Sequence, residues 1–192
     1  MNDDAGHYRI IDTQTAYAGW ARLVVATIQM PDGRRIKREI EDHGSAICVL
    51  PYDPSRKTAV LVRQFRAPML FVGMVQDSLE AIAGIIEEHD PVACVHRETM
   101  EEARLRLDAV EHVFTGWTMP GISTERMHFY LAHYAGEAKP ERRGGVAGED
   151  ESTIAIEIGL DELARMSDRN ELRDVKTLLL LQTLRLRQPE LF

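Results

Sequence analysis

Two apolar runs near the middle of the chain limit what it can fold into. Residues 45–52 (SAICVLPY) and 58–65 (TAVLVRQF) have strand length, are nearly continuous in apolar side chains, and are separated only by the turn 53–57 (DPSRK). A strand with one wet face alternates apolar and polar residues. Runs without that alternation are covered on both faces, so these two belong inside a central sheet.

The flanking segments read as further strands and helices. Upstream, residues 22–30 (RLVVATIQM) are rich in strand formers, 31–33 (PDG) signal a turn, and 34–43 alternate apolar with charged side chains, which predicts an antiparallel β-ribbon. Its apolar content is modest and a ribbon of that size is marginal alone, so it must pack on the main domain or on a second copy of the chain. Downstream, residues 67–78 show no clear period and read as a loop leading into a short strand at 79–84 (LEAIAG). Asp90 before Pro91 is a helix start, and Val92, Val95, Thr99 and Ala103 give one mildly apolar face through to about Leu107. Strands follow at 109–116 and 126–134, joined by the loop 117–125 (WTMPGISTE). A Gly-rich polar loop at 137–152 precedes a strand at 153–159, a short helix around 160–166 and an amphipathic helix over 174–187.

At 192 residues the chain fits one domain with a full core, or a domain carrying a short appended layer. The net charge of −8, with no stretch interleaving basic and aromatic residues, argues against a nucleic-acid partner. The acidic, polar start MNDDAGHYRI is unlike a signal peptide and no apolar run approaches a bilayer span, so the expectation is a cytoplasmic protein without membrane contact. Cys48 and Cys94, lacking a CxxC pattern, are expected to be buried, inert thiols.

The helix beginning at Pro91 carries Glu98, Glu101 and Glu102, three carboxylates at three- and four-residue spacing that project from one side. Like charges so placed destabilise a bare helix. Either a hard divalent ion with oxygen ligands neutralises them, or they form a solvated face balanced by Arg97, Arg104 and Arg106.

The flanking text resembles the Nudix box, G-x5-E-x7-R-E-U-x-E-E-x-G-U with U aliphatic. Gly84, Arg97, Glu98, Glu101, Glu102 and Leu105 fall on its elements. The chain departs from it in four places: the spacing from Gly84 to Arg97 is one residue short, Asp90 stands for the first Glu, Thr99 for an aliphatic residue and Arg104 for the second Gly. An Arg there is strained at positive φ, unless the helix runs on. The resemblance extends from Lys37 to about Leu181 and is nearest to the branch containing ADP-ribose pyrophosphatases and GDP-mannose hydrolases, on the segments KREIEDHGSAICVL, LVRQFR, MPGISTERMHFYLAHY, GGVAGEDES and LRDVKTLLLL.

That resemblance implies an α/β fold, an α/β/α sandwich with a mixed central sheet, preceded by the N-terminal ribbon. The expected division is 1–44 as the ribbon and a homodimerisation layer, and 45–192 as the hydrolase domain. It implies Mg²⁺, with Mn²⁺ as a substitute, held by Glu98, Glu102 and the Ala83 carbonyl; Glu101 is a further ligand or a partner orienting Arg97, itself a structural residue of the box like Gly84. In this branch the general base comes from a later loop, which points to Glu149 as base and Glu151 as an additional ligand, with Asp150 adjacent and Gly144, Gly145 and Gly148 allowing movement. Arg63 and Arg66 match arginines near the diphosphate, a role suited to a bidentate guanidinium. Arg38 and Glu39 match positions that reach the nucleotide across a dimer interface. Pro120 and Glu125 match positions near the terminal sugar, although Met119 replaces a common Ser. His96, His112, His128 and His133 form no ligand-spaced cluster. The implied activity is hydrolysis of the pyrophosphate of a nucleoside diphosphate sugar, GDP-mannose or ADP-ribose. A nucleotide-sugar sensor without turnover is the alternative, to which Arg104 lends support.

Overall fold

The computed structural model describes residues 6–73, 77–87, 89–134, 142–143 and 153–192. The chain divides into two compact units, Met1–Ser45 with Gly116–Met127, and Ala46–Thr115 with His128–Phe192.

The first unit is an antiparallel three-stranded sheet of β1 (Arg9–Ala18), β2 (Arg22–Gln29) and β3 (Arg35–Asp42), in that order. β2 and β3 are the predicted hairpin, closed by Gly33 at φ 86° with its amide donating to the Met30 carbonyl. β1 lies outside the expectation: every one of its residues is exposed, so no apolar stripe marked it as a strand. Across the three strands only Ala26 is fully buried, which makes this a thin layer. Residues 118–125 add to it through a parallel bridge between Ser123 and Glu41. The Glu41 amide donates to Ile122 O at 2.8 Å and the Thr124 amide to Glu41 O at 2.9 Å.

In the second unit, β4 (Ala46–Asp53) and β5 (Thr58–Phe65) occupy the predicted central places. They are followed by α1 (Ala67–Phe71), β6 (Asp77–Glu80), β7 (Ile82–Ile85), α2 (Pro91–Ala103), β8 (Leu107–Trp117), β9 (Arg126–Tyr134), β10 (Arg142–Arg143), β11 (Thr153–Gly159), α3 (Leu160–Asp168) and α4 (Val175–Arg187). The sheet runs β10-β11-β5-β4-β9-β8, with β6 on β5 and β7 on β4. All of β4 is buried, as its unbroken apolar run requires. Ile47 and Val49 join Val60, Val62, Cys94, Val95 and Ala103 in one core with α2. Alternation sends Cys48, Leu50 and Tyr52 to the opposite face, where α4 packs and Gln188 donates to the Tyr52 hydroxyl at 2.8 Å. The result is the expected α/β class with helices on both faces of a mixed sheet. Cys48 and Cys94 are buried as expected, and burial pushes the Cys48 thiol well above its ordinary range. Among the described residues no helix is long and apolar enough to cross a membrane.

Two local expectations are corrected. Residues 67–71, read as loop, form the single turn α1, too short to show a period. α2 stops at Ala103 instead of near Leu107, because Arg104 takes φ 53° and ψ 29°, and the amides of Arg104 and Leu105 turn back to the carbonyls of Met100 and Thr99 while Leu105 becomes buried.

Candidate active site

The site is built where β7 meets α2. Pairing of β7 with β4 sets Ala83 opposite Cys48 and Gly84 opposite Ile47, fixing the backbone on which the acidic helix rests. Asp90 begins that helix: its carboxylate accepts from the Val92 amide at 2.9 Å, with Pro91 in the first turn. The Asp that departs from the family pattern is therefore a helix cap here.

Glu98 lies directly over Gly84. A Cβ at Gly84 would fall 1.9 Å from Glu98 Oε1 and 2.0 Å from its carboxyl carbon, so the glycine is required for space. Arg97 then holds the arrangement, contacting Glu98 Oε1 at 2.8 Å, Glu101 Oε2 at 2.9 Å and the Ile85 carbonyl at 3.3 Å. Of the two roles open to Glu101, this geometry fits partner of Arg97; its side chain is also 42% exposed, against 12% for Glu98.

Glu102, one turn on, is the anomalous group. Its Oε2 is buried and has no hydrogen-bond partner among the described residues. Its pKa is pushed up to about 8, first by burial and then by the Glu98 charge, while Arg66 and the Ala83 amide pull the other way. A buried acceptor without a donor costs on the order of 1–3 kcal/mol. A hard divalent cation shared with Glu98 answers both difficulties, since it occupies the orphaned oxygen and favours the ionised carboxyl. The residues present therefore fit a metal, although among the described residues no three His, Cys, Asp or Glu side chains converge as a ready-made ligand set.

Beside this pair runs a chain of alternating charge. Arg66 binds Glu80 through two hydrogen bonds, 3.0 and 2.8 Å, and Glu80 is only 3% exposed. Lys176 Nζ lies 3.5 Å from Glu80 Oε2 and 2.5 Å from Asp174 Oδ1, and Asp174 in turn caps α4 through the Thr177 amide. Burial alone would raise the Glu80 carboxyl, but Arg66 and Lys176 hold it below the usual range. Glu80 and Lys176 were not singled out from sequence, because their partners lie up to 96 positions away. Arg63 is exposed on β5, paired in register with Leu79 and Ile154.

In the first unit, Arg38 and Glu39 are exposed on β3 and help line a shallow pocket with Val25, Lys37, Gly121 and Ile122. Pro120 and Met119 are exposed, while Glu125 is half-buried and accepts from the Thr118 hydroxyl and from His43 Nε2 at 3.2 Å. His112 and His128 both contact the Thr115 hydroxyl and His133 the Tyr52 hydroxyl. Glu149, Asp150 and Glu151, with Gly144, Gly145 and Gly148, lie outside the described residues.

Known proteins place this architecture. The pattern defining the NUDIX domain matches residues 42–179. A GDP-mannose pyrophosphatase of Cronobacter sakazakii is 38% identical over 169 residues, covering 86% of this chain and 87% of that protein. A protein of the same name from Escherichia coli K12 is 35% identical over 151 residues, 78% of each chain. The solved structure of an ADP compounds hydrolase superimposes with a TM-score of 0.76 over 97% of both chains, at 14% identity, a likeness of fold. The matched pattern spans both Gly84 and the carboxylates of α2, and the chain belongs to the Nudix family.

Proposed function

We propose that this protein hydrolyses the pyrophosphate bond of a nucleoside diphosphate sugar, with GDP-mannose ahead of ADP-ribose, giving a nucleoside monophosphate and a sugar phosphate. The carrying observation is the seat of Glu98 over Gly84 beside the orphaned oxygen of Glu102. The names of the relatives support the substrate class.

Glu98 and Glu102, with the Ala83 carbonyl and Glu151, would hold Mg²⁺, or Mn²⁺ in its place. Held by these residues, such an ion would supply Lewis-acid stabilisation of the phosphate charge and acidify the attacking water. Arg97 keeps the Glu98 carboxylate aimed by holding its Oε1. Glu80 fixes the Arg66 guanidinium in one orientation, and Arg66 with Arg63 meets the diphosphate. Glu149 takes the proton from the attacking water, a task that contributes roughly 10²–10⁴-fold. Arg38 and Glu39 bind the nucleotide across a homodimer formed through the first unit; Pro120 and Glu125 meet the terminal sugar. The enzyme works in the cytoplasm on a freely diffusing substrate.

The sensor alternative drew on Arg104. That residue takes the left-handed conformation a glycine would take at the same place, so the helix ends on the family's pattern and Arg104 lends the sensor reading no support. Assay of GDP-mannose, ADP-ribose and nucleoside triphosphates with Mg²⁺ tests the proposal. The expected result is preferred cleavage of a nucleoside diphosphate sugar; cleavage of neither compound faster than the triphosphates overturns it.

A further inference from the structure

We infer that His43 is a positioning residue: as an imidazolium held between Glu41 and Glu125, it locks the 118–125 segment onto β3 and fixes the Glu125 carboxylate. The inference rests on the reading that Glu125 meets the terminal sugar of the substrate.

His43 Nδ1 lies 2.5 Å from Glu41 Oε1 and Nε2 lies 3.2 Å from Glu125 Oε1, with the ring only 12% exposed. Ionised carboxylates only accept hydrogen bonds. A neutral imidazole donates from one nitrogen, so both contacts are satisfied only when both nitrogens carry protons. Trp20 stacks on the ring with centroids 4.9 Å apart, a further preference for the cation.

The remaining oxygens are committed as well. Ser123 Oγ donates to Glu41 Oε2 at 2.6 Å, the Thr118 hydroxyl donates to Glu125 Oε2, and the Glu125 amide donates to Ser123 Oγ at 3.1 Å. The nearby Asp42 is occupied by Arg22 at 2.6 Å and by the Thr124 hydroxyl at 2.7 Å. Burial works against the charge on His43, but the two carboxylates outweigh it and raise the ring above its ordinary range. Without the imidazolium, Glu41 and Glu125 would face one another as like charges. On losing its proton, the ring would release Glu125, the longer contact, before Glu41.

The test uses the full chain. Nitrogen NMR of the His43 ring is expected to show both nitrogens protonated at neutral pH. His43→Gln, checked for folding by circular dichroism, is expected to raise KM for GDP-mannose by about tenfold, the scale of one lost charge-assisted hydrogen bond, with kcat within about twofold. Wild-type KM should rise in the same way as pH passes through the titration of the ring, while KM of the variant stays level, a split that a purely structural residue would not produce. A singly protonated ring at neutral pH, or unchanged KM and pH profile in His43→Gln, overturns the inference. Should the protein cleave no nucleoside diphosphate sugar at all, the proposed function fails. The lock is then decided by exchange of the Thr124 amide: faster exchange in His43→Gln supports it and unchanged exchange refutes it.

Discussion

Glu98 and Glu102 stand on a helix whose other face is core, with Cys94, Val95, Thr99 and Ala103 buried beneath them. Glu41 and Glu125 stand on a layer in which Ala26 is the one fully buried strand residue. The two pairs are satisfied in opposite ways. On α2 one carboxylate oxygen is left without a donor among the described residues, and packing holds it in place. In the thin layer every oxygen of both carboxylates has a partner, because the polar network is itself what holds the segment. Packing, in other words, lets a protein leave an acid unsatisfied for a ligand to complete. Where there is little packing, hydrogen bonds must complete themselves.

The contrast can be broken most forcefully at Glu102. In Glu102→Gln, hydrolysis is expected to fall at least about 100-fold, beyond the ~10–100-fold typical of losing an outer-shell partner, and calorimetry should show weakened Mg²⁺ binding. Thermal stability without metal should hold or rise, since the change removes a group whose charged form is disfavoured by burial and by Glu98. An unaffected rate would remove Glu102 from the metal site. Gly84→Ala comes next. Its Cβ would collide with the Glu98 carboxylate, so activity should drop roughly 10–100-fold through displacement of that side chain, measured as kcat with Mg²⁺ titrated to saturation.

These residues were legible in the sequence because their geometry is local: Glu98 and Glu102 are one helical turn apart, and Asp90 followed by Pro91 marks where that helix starts. The buried strands β4 and β5 were legible for a related reason, since apolar runs report burial directly. β1 was not, because a strand exposed along its whole length carries no such stripe. Nor was the end of α2 legible in the residue pattern, because an arginine does not announce a positive φ; only the resemblance, which sets Arg104 where the family has glycine, left that conformation open. Glu80 meets Arg66 across 14 positions and Lys176 across 96, and His43 meets Glu125 across 82; ion pairs between distant positions leave no periodic trace in either partner.

Glu102 and Glu80 should also respond oppositely to pH. Glu102 is raised to about 8 in the folded, metal-free protein, above its unfolded value, so the folded state keeps a proton that the unfolded state has released. Stability without metal therefore falls as pH rises from the ordinary carboxylate range toward 8, by on the order of 4 kcal/mol in urea unfolding. Mg²⁺ affinity should rise over the same interval, by about tenfold per unit below 8 if one proton leaves per ion bound. Glu80 is lowered, so its contribution is complete above the ordinary carboxylate range and is lost as pH falls through its folded value. A metal affinity flat from pH 6 to 8 would detach the Glu102 proton from metal binding.

The smallest expected effect is at Arg104, and it asks whether the departure from the family pattern matters. The residue is exposed, at φ 53°, where a side chain costs roughly 1–2 kcal/mol relative to glycine. Arg104→Gly relieves that strain but adds freedom to the unfolded chain, so the net gain should be about 0.5–1 kcal/mol, roughly 1–4 °C in Tm for a protein of this size. Because the helix end already has the glycine-like conformation, Glu98 and Glu102 should not move, and hydrolysis should stay within about twofold. A Tm rise with unchanged kcat/KM assigns Arg104 to the helix cap alone. A fall in kcat/KM without a Tm change would show instead that its guanidinium takes part in the site, and the α2 half of the comparison would then need a cation of its own.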